Sequence, residues 1–163
     1  MDAQIFKQAM RHCAGAVAVV TVGRENGRRT GLTVTAVCSL SDDPPSLLVC
    51  VNRNASAHPR IRDEGSFVVN FLGEEHRSLA MTFSGQNGLA GDDRFRSGDW
   101  EARATGTPVL SDAIAAFDCD LREEFDAKTH SIFVGEVRDV FIRSETNPLI
   151  YVRGAFHGVR AII

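Results

Sequence analysis

A chain of 163 residues with 44% hydrophobic and 24% charged side chains is long enough for one domain with a sizeable core. A formal net charge of −3, with basic and acidic residues interspersed, argues against a nucleic-acid partner. No run approaches the roughly 20 apolar residues that a membrane helix needs, so no membrane partner is expected.

Lys7 and Arg11 precede the apolar run Ala14–Val22 as in a signal peptide, but no small-x-small cleavage site follows. The expectation is a helix, then a strand, in a cytoplasmic protein. Ile5, Phe6, Ala9, Met10 and Cys13 recur at helical spacing, which predicts an amphipathic helix over 2–13. A strand follows over 16–22, and Asn26-Gly27 predicts a hairpin. Gly31–Ser41 reads as one uncharged strand. Leu32, Val34, Ala36, Cys38 and Leu40 form its core face, and Thr33, Thr35, Val37, Ser39 and Ser41 the other. Asp42-Asp43-Pro44-Pro45 ends it. Ser46–Asn52 is apolar nearly throughout, which predicts a central strand.

Ser56 as N-cap and Gly65 as C-terminal stop frame a short helix. A strand is expected over 67–72, a helix over 74–83 and a Gly- and Asp-rich loop over 84–98. Three long strands, 114–125, 130–143 and 148–158, complete the chain. About seven strands joined mostly by hairpins, with a few short helices, predict a mainly β, antiparallel barrel and not a doubly wound parallel sheet. The domain is expected to span 1–163. Cys13, Cys38, Cys50 and Cys119 form no C-x-x-C or zinc-type spacing, and no metal is expected. The last three lie in apolar strand patterns and are expected to be buried, reduced thiols.

The usual signatures of nucleotide, hydrolase and metalloprotease sites are missing: G-x-G-x-x-G after a strand, G-x-x-x-x-G-K-[ST], G-x-S-x-G and H-E-x-x-H. Any cofactor would therefore be held by strand edges and loops. The hydroxyl row beginning at Thr33 and Thr35 suits an ordinary solvated strand face. That is the commoner case; the second reading is a flat polar ring lying along the strand, because small side chains admit close approach.

Three stretches carry a resemblance to a known family: "GLTVTAVCSLSDDPPSLLVCVNRNASAHP" from Gly31, "THSIFVGEVRDV" from Thr129 and "PLIYVRGAFHGV" from Pro148. In this order they resemble the motifs of the short-chain flavin reductases, the reductase components of two-component flavin monooxygenases. The resemblance is strongest to reductases serving 4-hydroxyphenylacetate 3-monooxygenase, with the pyrimidine-degradation reductases close behind. It implies a six-stranded antiparallel split β-barrel, a homodimer, FMN or FAD as acceptor and NADH (or NADPH) as reductant. Reduced flavin would pass to a separate flavin-dependent monooxygenase. A flavoredoxin-like FMN-binding electron carrier on the same fold is the alternative.

The same resemblance assigns residues. Thr33, Val34, Thr35 and Ala36 would lie against the isoalloxazine, with Ser39 near the ribityl-phosphate tail. Cys50, Val51 and Asn52 would meet the ring from the neighbouring strand. Ser56 and Ala57 would open a phosphate-binding helix, where free N–H groups suit an anion. Phe83 and Ser84 would touch the tail, and Arg94 the phosphate. His130 would be the catalytic candidate near the nicotinamide, with Tyr151 and Arg153 along the dinucleotide. Lys128-Thr129-His130 stands where the family commonly has Gly-Asp-His, which leaves the tautomer of His130 open.

Overall fold

The computed structural model describes residues 1–143 and 146–160. Its strands are β1 (Gly15–Ala16), β2 (Ala18–Val22), β3 (Thr30–Val34), β4 (Val37–Asp42), β5 (Pro45–Asn52), β6 (Ser66–Phe71), β7 (Trp100–Ala102), β8 (Pro108–Leu110), β9 (Ala115–Ala127), β10 (His130–Ile142), β11 (Leu149–Val152) and β12 (Ala155–Gly158). Its helices are α1 (Ala3–Met10), α2 (Ala57–Glu64) and α3 (Arg77–Phe83). Seven strands form one antiparallel sheet in the order β3-β2-β6-β9-β10-β5-β4. β1-β11-β12 and β7-β8 form two small sheets beside it. The fold is mainly β with few short helices, as expected, and the large sheet stays open.

The stretch Gly31–Ser41 is not one strand but two. It breaks at Thr35 and Ala36, and its halves, β3 and β4, are the opposite edges of the sheet. The Ala36 carbonyl accepts from the Cys50 amide at 3.0 Å, which ties the crossing to β5. One expected strand thus becomes two. The break also shifts the alternation. Val37 packs on the core, while Cys38 and Leu40 turn outward, Leu40 being 52% exposed. Only Cys119 among the four thiols is fully buried, and burial pushes its pKa up. Cys50 is half-buried, and Cys13 and Cys38 are exposed, contrary to expectation for Cys38.

The last expected strand also divides. Arg153 (φ 54°) and Gly154 (φ 82°) make a left-handed turn between β11 and β12, so Arg153 leaves the strand. β5 is paired on both sides but lies next to an edge, not centrally. The Asn26-Gly27 hairpin forms with a longer loop, from Gly23 to Arg29. Between Ser84 and Gly98 the chain makes a 3-10 turn at Gly91–Arg96.

The sheet has two cores because β2 and β6 are apolar on both faces. Val20, Val22, Phe67 and Val69 point inward with Leu47, Val49, Val51 and Phe133, against Ile61 of α2. Val19 and Val68 point outward under α3 and an aromatic cap of Phe83, Phe95 and Trp100. α2 ends as its sequence dictates: Gly65 adopts φ 66° and its amide caps Ile61. α1 starts at Asp2, whose side chain accepts from the Gln4 amide at 2.6 Å.

Buried polar residues join the small hairpin to the main sheet: Thr21 donates to the Pro108 carbonyl, and Asn70 holds Leu110 on the same strand. Asn70, fully buried on β6, donates to the Val19 carbonyl (3.1 Å) and accepts from the Leu110 amide (2.8 Å). Asn70→Ala would strand that buried amide and open a small void, which costs about 2–4 kcal/mol. Urea unfolding measures this. A loss within about 0.5 kcal/mol would show that Asn70 does not pin β8.

Candidate functional site

Because β3 is an edge strand, its outer side is free to line a groove. The first section of that groove, a cleft of about 420 Å³, lies between Gly31–Thr33 of β3, Asn52 and Asn54–Ser56 at the start of α2, Phe83 and Ser84 at the end of α3, and Arg94. A second section of about 220 Å³ shares Thr33 and Ser84 with it and adds Thr35, Gln86, Tyr151 and Phe156. A third, about 530 Å³, shares Thr35 and Tyr151 and is walled by Ala36 and by Phe6, Lys7, Met10 and Arg11 of α1. Shared residues make the three one path along β3 and the chain crossing. Its floor is small side chains; one end is polar, the middle is flanked by a Tyr151–Phe156 pair with ring centroids 5.3 Å apart, and the far section carries Lys7 and Arg11.

The polar end holds an uncompensated cation. Arg94 is half-buried. It donates through Nη1 to the Gly31 carbonyl (2.7 Å) and through Nε to the Leu89 carbonyl (2.9 Å). Its Nη2 has no acceptor and no carboxylate pairs with it among the described residues. Burial holds its pKa below the usual guanidinium value. Arg29 nearby is different: it is paired with Asp92 at 2.6 and 3.0 Å, which raises the Arg29 pKa and lowers that of Asp92. A partly buried guanidinium held by neutral carbonyls, on a residue that lines a cleft, is matched to an anion. The start of α2 adds the positive end of a helix to the same cleft.

Thr33, Val34, Thr35, Ala36, Asn52, Ser56, Phe83, Ser84, Arg94 and Tyr151 all line this path. Their hydroxyls are not equally available. Thr33 Oγ1 donates to the Ala80 carbonyl at 2.7 Å, so toward the groove it can only accept. Ser84 Oγ donates to the Met81 carbonyl at 2.8 Å. Ser56 is not a side-chain N-cap: it has helical dihedrals (φ −59°, ψ −27°), and its hydroxyl meets Thr30 Oγ1 at 3.0 Å. Thr35 has no hydrogen-bond partner among the described residues.

Other expected residues lie off the path. Ser39, on the far edge strand, borders a separate apolar groove of about 300 Å³ with Leu47, Phe117 and Val137. The side chains of Val51 and Ala57 are fully buried in the core. Cys50 is half-buried beside the chain crossing; burial first, and Cys38 second, raise its pKa. His130 opens β10 directly opposite Asn52, and its Nδ1 meets Thr129 Oγ1 at 2.9 Å. A hydroxyl can donate or accept, so Thr129 orients the ring without fixing its tautomer. Arg153 sits in the β11–β12 turn, where its amide donates to the Arg11 carbonyl at 2.6 Å.

Sequence reasoning did not single out Gly31, Asn54, Gln86 or Phe156 as lining residues. Gly31 carried a readable signal, since a glycine inside a strand marks close approach. The others come from loops or from the short hairpin that only the fold brings near.

Known proteins resemble this chain along nearly its whole length. A family model described as "Flavin reductase like domain" matches residues 10–160. An FMN reductase (NADH) RutF of Stutzerimonas stutzeri is 39% identical over 154 residues, covering 94% of this chain and 87% of the relative. A 4-hydroxyphenylacetate 3-monooxygenase reductase component of Salmonella typhi is 36% identical, covering 95% and 91%. The solved structure of BorF, the flavin reductase component of a bacterial two-component tryptophan halogenase, superposes with a TM-score of 0.89 at 31% identity, covering 99% of this chain and 100% of that one.

Gly31 is where the groove is least forgiving. A Cβ there would lie 2.6 Å from the Val20 carbonyl and 2.8 Å from the Phe83 ring. Gly31→Ala is expected to cost about 1–3 kcal/mol, as overpacking does, and to push Phe83 into the cleft. Thermal unfolding reads the first effect. An unchanged melting temperature would show that β3 can move outward freely.

Proposed function

The chain belongs to the flavin reductase family, and from that premise we propose that it is an NAD(P)H:flavin oxidoreductase. It moves a hydride from NADH to FMN or FAD and hands the reduced flavin to a separate monooxygenase component. The observation that carries this reading is Arg94, an unpaired cation at one end of a groove whose remaining length is small side chains and strand edge. A flavin has that shape: a flat ring system on a flexible tail that ends in phosphate. The residues fit the group at both ends.

Bound flavin and nicotinamide supply the hydride chemistry themselves. The chain supplies position and charge. Arg94 and the start of α2, with Ser56, hold the phosphate. The backbone from Thr33 to Ala36 would take the ring edge, where peptide N–H groups would stabilise negative charge on a reduced ring. Thr35 and Tyr151, shared by the second and third sections, hold the coenzyme against the ring, and α1 shields that end from water. His130 lies off the groove, opposite Asn52, and no proton transfer through it is required. No acid–base triad is required.

Two further parts of the reading concern assembly and place. Ile5, Phe6 and Met10 leave the apolar face of α1 uncovered, each more than half exposed, and Leu40 does the same on β4. A homodimer would bury them and wall the third section. Exposed thiols at Cys13 and Cys38, and use of a pyridine nucleotide, suit the reducing cytoplasm. No helix among the described residues is long and apolar enough to cross a membrane.

The direct test is NADH consumption as a function of added flavin. Turnover that rises with FMN or FAD supports a reductase; a yellow protein inert to NADH would be an electron carrier. Arg94→Gln removes one charge-assisted bond to phosphate, worth about 1.5–3 kcal/mol, so the FMN Kd should rise about tenfold or more. Riboflavin, without phosphate, should bind the variant and the parent alike. Equal weakening of both ligands would remove Arg94 from the phosphate site. Sedimentation equilibrium at micromolar concentration should give a dimer; a fully active monomer would reject that assembly.

A further inference from the structure

Below the start of α2 lies a buried polar chain that the groove itself does not use. His58, only 5% exposed, sits in the first turn of α2 with its ring edge-on to Phe133, centroids 5.2 Å apart. Its Nε2 lies 2.7 Å from Ser131 Oγ on β10. Ser131 is fully buried, and its hydroxyl donates to Glu124 Oε1 on β9 at 2.7 Å. With that hydrogen spent, Ser131 must accept from His58, which places the proton of the neutral imidazole on Nε2. Arg62, one turn further along α2, grips both oxygens of the same Glu124 at 2.8 and 2.7 Å. The helix is thus fastened to the β9–β10 hairpin at two points through one carboxylate. Above the ring, the His58 amide donates to the Ala55 carbonyl at 3.0 Å, and Ala55 and Ser56 line the anion end of the groove.

We infer that His58 is a positioning residue for phosphate binding: its neutral imidazole, bonded to Ser131, seats the first turn of α2 so that the Ala55–Ser56 backbone stands at the anion end of the groove. The inference rests on the flavin reading of that groove. It makes the seat sensitive to acid. Facing the ring are Glu124 and Asp126 from β9, Arg62 on α2 and Arg53 from the preceding turn. Burial disfavours the charged ring most; Glu124 and Asp126 oppose that, Arg62 and Arg53 reinforce it, and the pKa is lowered from its ordinary 6.5. The unfolded chain therefore takes up this proton first. The stabilisation by His58 is complete above pH 6.5 and is lost as pH falls from there through the lower folded value. The second proton goes to Nδ1 and leaves the bond to Ser131 in place, but it puts a charge on a ring buried against Phe133, which unseats the turn; phosphate binding that depends on the seat falls in the lower part of the same window.

The experiment compares FMN and riboflavin binding by fluorescence quenching from pH 8 to pH 5 in the parent, His58→Gln and Ser131→Ala. Glutamine keeps a donor for Ser131 and cannot charge. The phosphate of FMN has its own titration near pH 6, which is common to all three proteins, so only differences between them count. At pH 8 the parent and His58→Gln should bind FMN within twofold of each other. By pH 5 the parent should have lost at least threefold more affinity than His58→Gln. Ser131→Ala should weaken FMN at least threefold at pH 8 and leave riboflavin unchanged. Parallel pH curves for the parent and His58→Gln, or unchanged FMN binding by Ser131→Ala, would overturn the inference. Should neither flavin bind the parent at any pH, the flavin reading of the groove would fail instead.

Discussion

A single crossing holds this structure together. The chain leaves β3 at one edge of the sheet, passes through Thr35 and Ala36, and enters β4 at the other edge, fixed there by the bond between Ala36 and the Cys50 amide. A seven-stranded sheet whose two edges are consecutive in sequence has to curl, because the three steps from Val34 to Val37 span at most about 11 Å. Curling creates the inner core around Phe67 and Phe133 and leaves the outer sides of β3 and β4 without strand partners. The groove lies along one of these free edges, so the site is a by-product of the closure that does not quite happen.

Charge then divides the groove. Arg29 is neutralised by Asp92, and Arg62 by Glu124, but Arg94 is held only by carbonyl oxygens. Neighbouring guanidinium groups therefore do different work. The paired ones fasten loops and helices, and the unpaired one defines an anion end. The aromatic cap supports this arrangement from behind, because Phe83 packs on Phe95 and Trp100 while its edge meets Gly31. Substituting Gly31 would thus disturb core and groove together.

Much of this was legible in the sequence, and the failures have physical causes. Alternation identified the long strands but missed β7 and β8, three residues each, too short to show a period; Gly65 marked the end of α2 correctly. The break at Thr35 and Ala36 was invisible because neither residue is a glycine or proline, so period-two reading ran through it and put Cys38 and Leu40 inside. Ser56 looked like an N-cap because its residue type is right; the competing bond to Thr30 is a contact 26 residues away. Motif resemblance gathered most groove residues, since family pattern encodes tertiary proximity that local periodicity does not. It grouped Ser39 with them, yet Ser39 lies beyond the crossing, on the opposite edge. Asn70 and His58, which brace the sheet and α2, gave no sequence signal: a polar residue's burial depends on neighbours that only the fold supplies.

The crossing has a consequence for how such a chain can vary. One residue inserted or removed beside Thr35 would invert every following side chain of β4 relative to β5, turning Val37 out and Cys38 in, and no turn is available there to absorb it. The loop from Gly23 to Arg29 joins neighbouring strands, and an insertion at its tip leaves both registers intact. Length variation among relatives of this chain should therefore collect at the β2–β3 loop and be absent from the two residues between β3 and β4, whatever residues occupy them.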